Sequence, residues 1–144
     1  MNRIFILVFS ITTFFFLSFK SITIYPPFKK FEITKGTNIA HWLSQSTRRG
    51  VERVSFFTEK DITYIHKAGF DHIRLPIDEE QMWAADGTRE KDAFQLMSDC
   101  MQWCNKAGLR VVVDLHILRS HHFNAKEKPL WTKPEEQEKF INLW

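Results

Sequence analysis

The chain has 144 residues, of which 26% are charged, 44% hydrophobic and 15% aromatic, a balance that excludes disordered and collagen-like classes and demands a packed apolar core. The formal charge of +3 nearly vanishes when Arg3 and Lys20 are set aside, because 18 basic residues then face 17 acidic ones. No nucleic-acid footprint follows, since binders of polyanions carry a basic patch or a strongly raised isoelectric point over the domain itself.

Residues 1–20 join an early Arg3 to an apolar run from Ile4 to Phe19, which fits the charged and hydrophobic regions of a secretory signal. The run is broken by Ser10, Thr12, Thr13 and Ser18 and is short for a membrane span, which needs roughly 20 apolar residues. It also lacks a small-residue cleavage site. Export is therefore expected, to an extracellular, periplasmic or cell-surface location, with an uncleaved N-terminal anchor as the alternative. Residues 21–30, which include Pro26-Pro27, read as a linker, and residues 31–144 as the folded domain.

Residues 31–39 alternate like a strand before turn-forming positions. Thr58-Glu59-Lys60-Asp61 opens a helix as a capping box, and Ile62, Ile65 and Ala68 share one face until Gly69 stops it. Residues 70–75 are too short for a further helix, and Pro76 closes them as a second strand. A helix over residues 90–107 follows from Ala93, Leu96, Met97, Cys100, Trp103, Cys104 and Ala107 on one face. Cys100 and Cys104, four apart on that helix, do not suit a disulfide and read as core packing. Residues 109–115 are a β-branched run of the kind buried in a parallel sheet. A polar loop over residues 116–133 leads to Pro134-Glu135-Glu136, a helix opening with acid in the first turn.

Two junctions repeat at an offset of 39 residues, Lys67-Ala68-Gly69-Phe70 and Lys106-Ala107-Gly108-Leu109, each a helix end running straight into a strand. Such alternation predicts a parallel sheet with right-handed crossovers, either doubly wound or closed into a (β/α)8 TIM barrel. The first turn, residues 36–42, lacks G-x-G-x-x-G and any phosphate-binding loop, which favours the barrel and leaves no cofactor implied. A whole barrel needs roughly 250 residues, so only about the first three βα units are expected here, with the chain ending inside its last helix.

Barrel chemistry sits at the C-terminal ends of strands and the loops behind them. Three such ends offer Asn38, His41 and Trp42; Arg74 with Asp78; and Asp114, His116, His121, His122, Asn124 and Trp131. Polar groups gathered with aromatic rings suit a sugar, whose hydroxyls need directional hydrogen bonds and whose ring faces stack. Trp42 and Trp131 read as sugar platforms or as core residues.

The elements Lys35-Gly36-Thr37-Asn38-Ile39, Gly69-Phe70-Asp71-His72-Ile73-Arg74-Leu75-Pro76 and Gly108-Leu109-Arg110-Val111-Val112-Val113-Asp114-Leu115-His116 together resemble the opening half of glycoside hydrolase family 5, the cellulase family. The resemblance implies a retaining hydrolase of β-linked polysaccharides, monomeric and without a cofactor. In it Arg74 holds a nucleophilic glutamate ionised, and His116 lines the cleavage subsite, where an ordinary hydrogen-bonded histidine is the competing reading. Asp114 is read as a structural partner of backbone or arginine groups. The resemblance places the two catalytic carboxylates on strands four and seven, so none is expected within this sequence. Glu79, Glu80, Glu135 and Glu136 fall on a loop and at a helix start and are not promoted.

Two other classes stay open. His41, His116, His121 and His122 raise a metal-dependent barrel hydrolase, against which stands the lack of an H-x-H pair on the first strand. A non-catalytic carbohydrate-binding protein would keep the rim without the carboxylates.

Overall fold

The computed structural model describes residues 31–144; the expected leader and linker lie outside the described residues. Strands β1 (Gly36–Asn38), β2 (His72–Asp78) and β3 (Arg110–Ile117) form one parallel sheet in the order β1-β2-β3. The connections carry α1 (Gly50–Phe56) and α2 (Glu59–Lys67), then α3 (Glu79–Met82) and α4 (Lys91–Ala107), and α5 (Pro129–Thr132) with α6 (Pro134–Leu143) follows β3. Among the described residues no helix is long and apolar enough to cross a membrane.

Period-two alternation divides the sheet into two unlike faces. On one, Ile73, Leu75 and Ile77 of β2 stand in register with Val111, Val113 and Leu115 of β3 and join the core with Ile62, Leu96, Cys100 and Cys104 from the helices. Each fully buried aliphatic side chain there contributes about 1.5–3 kcal/mol. The other face aligns Gly36 with His72 and Arg110, Asn38 with Arg74 and Val112, and Pro76 with Asp114. This face carries the polar groups.

The helix boundaries follow local chemistry. Thr58 and Asp61 close a reciprocal capping box at the start of α2, and Gly69 and Gly108 take left-handed conformations after α2 and α4, as a residue without a Cβ does at least cost. Cys100 and Cys104 are buried and unpaired as a disulfide, and the hydrogen bond with Cys104, reinforced by burial, pushes the Cys100 thiol up.

Three boundaries depart from the sequence reading. β1 is only three residues long, because Thr34 and Lys35 turn their backbone to the Asp71 carboxylate instead of to a strand. β2 runs through Pro76 to Asp78. Ile39 of the first loop takes the Arg74 carbonyl, so Pro76, two residues on, faces the same side beyond the end of β1, where no ladder donor is needed. Glu79 and Glu80 open the short helix α3 and do not lie on a loop.

At the N-terminal end of the sheet, Asp71 accepts from the Thr34 backbone at 2.8 Å, from the Thr34 hydroxyl, from the Lys35 backbone at 3.2 Å and from His72 Nδ1 at 2.6 Å. The bond from His72, with those from Thr34 and Lys35, holds its carboxyl well below the usual carboxylate range. The His72 ring lies over Gly36 so closely that a Cβ there would sit 2.1 Å from Nε2.

Candidate active site

The polar face of the sheet ends in a cluster centred on Arg74. Its Nη1 donates to Asn38 Oδ1, and its Nη2 donates to Asp114 Oδ2 and lies 3.1 Å from His116 Nδ1. These residues come from three adjacent strands, and their alternation puts all four side chains on the face opposite the helix-packed core. Register is what assembles the site.

A guanidinium has five N–H donors and no acceptor. Three are engaged here, which leaves Nε and one Nη1 hydrogen without a partner among the described residues. The side chain of Arg74 is 40% exposed, so it is open to solvent on the polar face of the sheet. The Nδ1 of His116 is engaged by this cluster, which leaves Nε2 as the ring nitrogen with no partner among the described residues. Asp114 Oδ2 lies 3.1 Å from the same Nδ1, so Asp114 stands between the two groups as the structural partner read from sequence.

The loop behind β3 builds a wall beside this cluster. Leu118 and His121 exchange backbone hydrogen bonds of 3.1 Å each, and Leu130 of α5 donates to the Ser120 carbonyl at 3.1 Å. His122 stacks on Phe123 at 4.7 Å between centroids, with an interplanar angle of 21°, while its Nδ1 accepts from the Asn124 backbone at 3.2 Å. The Phe123 ring lies 6.5 Å from that of His116 and is 53% exposed. His121 meets Trp131 edge-on at 5.5 Å, and Trp131 is 67% exposed. The half-exposed Phe123 ring thus stands next to His116, and the exposed Trp131 indole stands next to His121 on the same loop.

Sequence reading missed Phe123, which sits among polar residues and shows no period, and it missed the supports of this loop. Glu79 is 2% exposed and accepts from the Arg119 backbone at 2.8 Å, from Arg119 Nη1 at 2.9 Å and from Lys139 at 3.2 Å. Burial opposes its ionisation, yet the bonds from Arg119 and Lys139 outweigh that and hold the carboxyl below its ordinary value. No local pattern announces a pair 40 residues apart.

Two predicted site residues stand elsewhere. Trp42 is 0% exposed, packs on Phe57 at 5.1 Å and donates its indole N–H to the Arg53 carbonyl at 2.8 Å. A platform needs an open ring face, so Trp42 is core and not substrate-facing. His41 turns back on its own loop, at positive φ, with Nδ1 3.1 Å from the Gln45 carbonyl, and is not brought to Arg74. Among the described residues no three His, Cys, Asp or Glu side chains gather where a metal ion could be held.

A family model described as Cellulase (glycosyl hydrolase family 5) matches residues 33–144. Endoglucanase C of Acetivibrio thermocellus is 35% identical over 113 residues, covering 76% of this chain and 33% of that protein. Cellodextrinase A of Ruminococcus flavefaciens is 36% identical over 114 residues, covering 78% and 34%. Among solved structures, Cel5A of Thermotoga maritima in complex with cellobiose aligns with a TM-score of 0.57 at 27% identity, over 78% of this chain and 34% of that one. A glycoside hydrolase family 5 enzyme from Prevotella bryantii B14 aligns with a TM-score of 0.58 at 22% identity, over 78% and 35%, a likeness of fold alone. The chain spans about a third of the length of the curated relatives it matches. Its parallel sheet and packed helices are part of a (β/α)8 barrel, and the chain belongs to the cellulase family, glycosyl hydrolase family 5.

Proposed function

We propose that residues 31–144 form one flank of the substrate cleft in a retaining, endoglucanase-like hydrolase of O-glycosidic bonds in β-glucans. The observation that carries this reading is Arg74, anchored by Asn38 and Asp114 beside His116, with donors still free toward the cleft. The naming of relatives as an endoglucanase and a cellodextrinase supports the substrate class.

The chemistry follows from the groups present. The free donors of Arg74 lower the pKa of an adjacent carboxylate and fix its orientation, which keeps a nucleophile ionised. His116 Nε2–H donates to a substrate hydroxyl, and Phe123 and Trp131 offer faces for sugar rings. The retaining reaction uses two carboxylates roughly 5 Å apart, which we assign to strands other than β1, β2 and β3. In support, Asp114 is engaged by Arg74 and Glu79 by Arg119 and Lys139, and Glu135 and Glu136 lie in the first turn of α6. No cofactor is required, and we assign the whole protein to the exported, monomeric enzymes, anchored or released. The 144-residue chain by itself is expected to be inactive and prone to associate, because β3 lies at the edge of the sheet and Val112 and Trp131 stand exposed.

The test uses the complete polypeptide encoded with this segment, assayed on cello-oligosaccharides. Arg74→Ala is expected to lower kcat by about 10²–10³-fold, as loss of one preorganised electrostatic donor does. An Arg74→Ala protein with wild-type kcat contradicts the reading.

A further inference from the structure

We propose that Glu79 is a positioning residue, whose buried carboxylate clamps the loop behind β3 and thereby sets where His121, His122 and Phe123 stand beside His116. It rests on the glycosidase reading only for what the loop serves; the clamp rests on geometry alone.

Glu79 follows β2 directly, so its backbone is fixed by the same strand that carries Arg74. Its two oxygens reach a different part of the chain. Oε2 takes the Arg119 backbone N–H at 2.8 Å and Oε1 takes the Arg119 guanidinium at 2.9 Å, whose other arm donates to the Trp83 carbonyl at 2.7 Å. One residue is thus held by main chain and side chain at once, at the point where β3 gives way to the loop. From there the reciprocal Leu118 and His121 bonds, and the Leu130 bond to Ser120, carry that placement into the turn bearing His121 and His122. Lys139 adds a second cation from α6 at 3.2 Å.

A carboxylate that is 2% exposed is costly to keep ionised unless fully partnered, and an apolar pair of like volume often serves stability as well or better. What an apolar pair lacks is direction. The Arg119 N–H has no strand partner past Ile117 and is aimed at a single acceptor, so the charge fixes one loop conformation among several of similar compactness. A clamp of this kind joins the Arg74 side of the cleft to its aromatic wall through one side chain.

Glu79→Gln keeps the shape and removes the charge, while Lys139→Met removes the outer cation and leaves both Arg119 bonds. The complete polypeptide is compared in these forms by two measurements, tryptic cleavage after Lys126 well below the thermal midpoint, and steady-state kinetics on cello-oligosaccharides. Glu79→Gln is expected to accelerate loop cleavage about tenfold through local opening, and to raise KM about fivefold with kcat held within about twofold. Lys139→Met is expected to lower the thermal midpoint with loop cleavage and KM near wild type. A lowered midpoint in Glu79→Gln with unchanged loop cleavage and KM overturns the proposal, and so does equal acceleration in both variants. Should Glu79→Gln not fold, Arg119→Ala is read in the same way, with faster loop cleavage expected and its absence counting against the clamp. If the wild-type polypeptide cleaves no β-glucan, the glycosidase reading falls, while loop cleavage still decides the clamp.

Discussion

The two ends of β2 hold similar groups to different ends. At the N-terminal end Asp71 and His72 form a closed set, with both Asp71 oxygens taken by Thr34, Lys35 and His72 and the imidazole laid over Gly36. At the C-terminal end Arg74 is anchored by Asn38 and Asp114 yet keeps donors without a partner among the described residues, beside an imidazole whose neighbour is the exposed Phe123 ring. Both clusters are polar and both bridge strands, so composition does not separate them. Saturation does. A structural cluster satisfies itself, whereas a site is held firmly on one side and left open on the other.

That contrast is broken most sharply by substitutions that exchange the expected losses. Arg74→Ala in the complete polypeptide should remove activity, by about 10²–10³-fold in kcat, with little change in thermal midpoint. At the opposite end, Gly36→Ala puts a Cβ into the His72 ring, which Asp71 holds in place, so about 1–3 kcal/mol of stability should be lost by overpacking with kcat/KM unchanged below the new midpoint. Thermal denaturation and oligosaccharide kinetics on both variants check the pair. Comparable kinetic losses in the two would show that the ends do not differ as described.

Smaller effects sharpen the open end. Phe123→Ala removes a ring face beside His116 and should weaken binding by about 1 kcal/mol, the scale of one aromatic contact, seen as a higher KM on long substrates. Phe123→Trp should restore it. Acidification gives the mildest test. Glu79 has its carboxyl held below the ordinary value in the fold by Arg119 and Lys139, so its contribution is present above the unfolded value and lost as pH falls through the folded one. Denaturant titrations at falling pH should show wild type losing more stability than Glu79→Gln in that acidic window; parallel curves would contradict the linkage.

Much of the frame is legible because local chemistry decides it. Gly69 and Gly108 stop helices with left-handed backbones, Thr58 and Asp61 close a capping box, and the even positions of β2 and β3 put Arg74, Asp114 and His116 on one face. The parts that sequence does not yield depend on distant partners. Pro76 continues β2 because β1 is too short to oppose it, and α1 shows no apolar period, with Val51 and Val54 exposed. Trp42 reads equally as platform or core until Phe57 and the Arg53 carbonyl enclose it. Glu79 has the look of a loop acid because its partners lie 40 positions on, and Phe123 earns notice only when its ring is found beside His116.

The central claim is that this rim belongs to a retaining β-glycan hydrolase. Its most direct test is proton NMR of the first product released from a cello-oligosaccharide by the complete polypeptide. The account predicts that the β anomer appears first and the α anomer only later by mutarotation; an initial α anomer, or no hydrolysis, contradicts it.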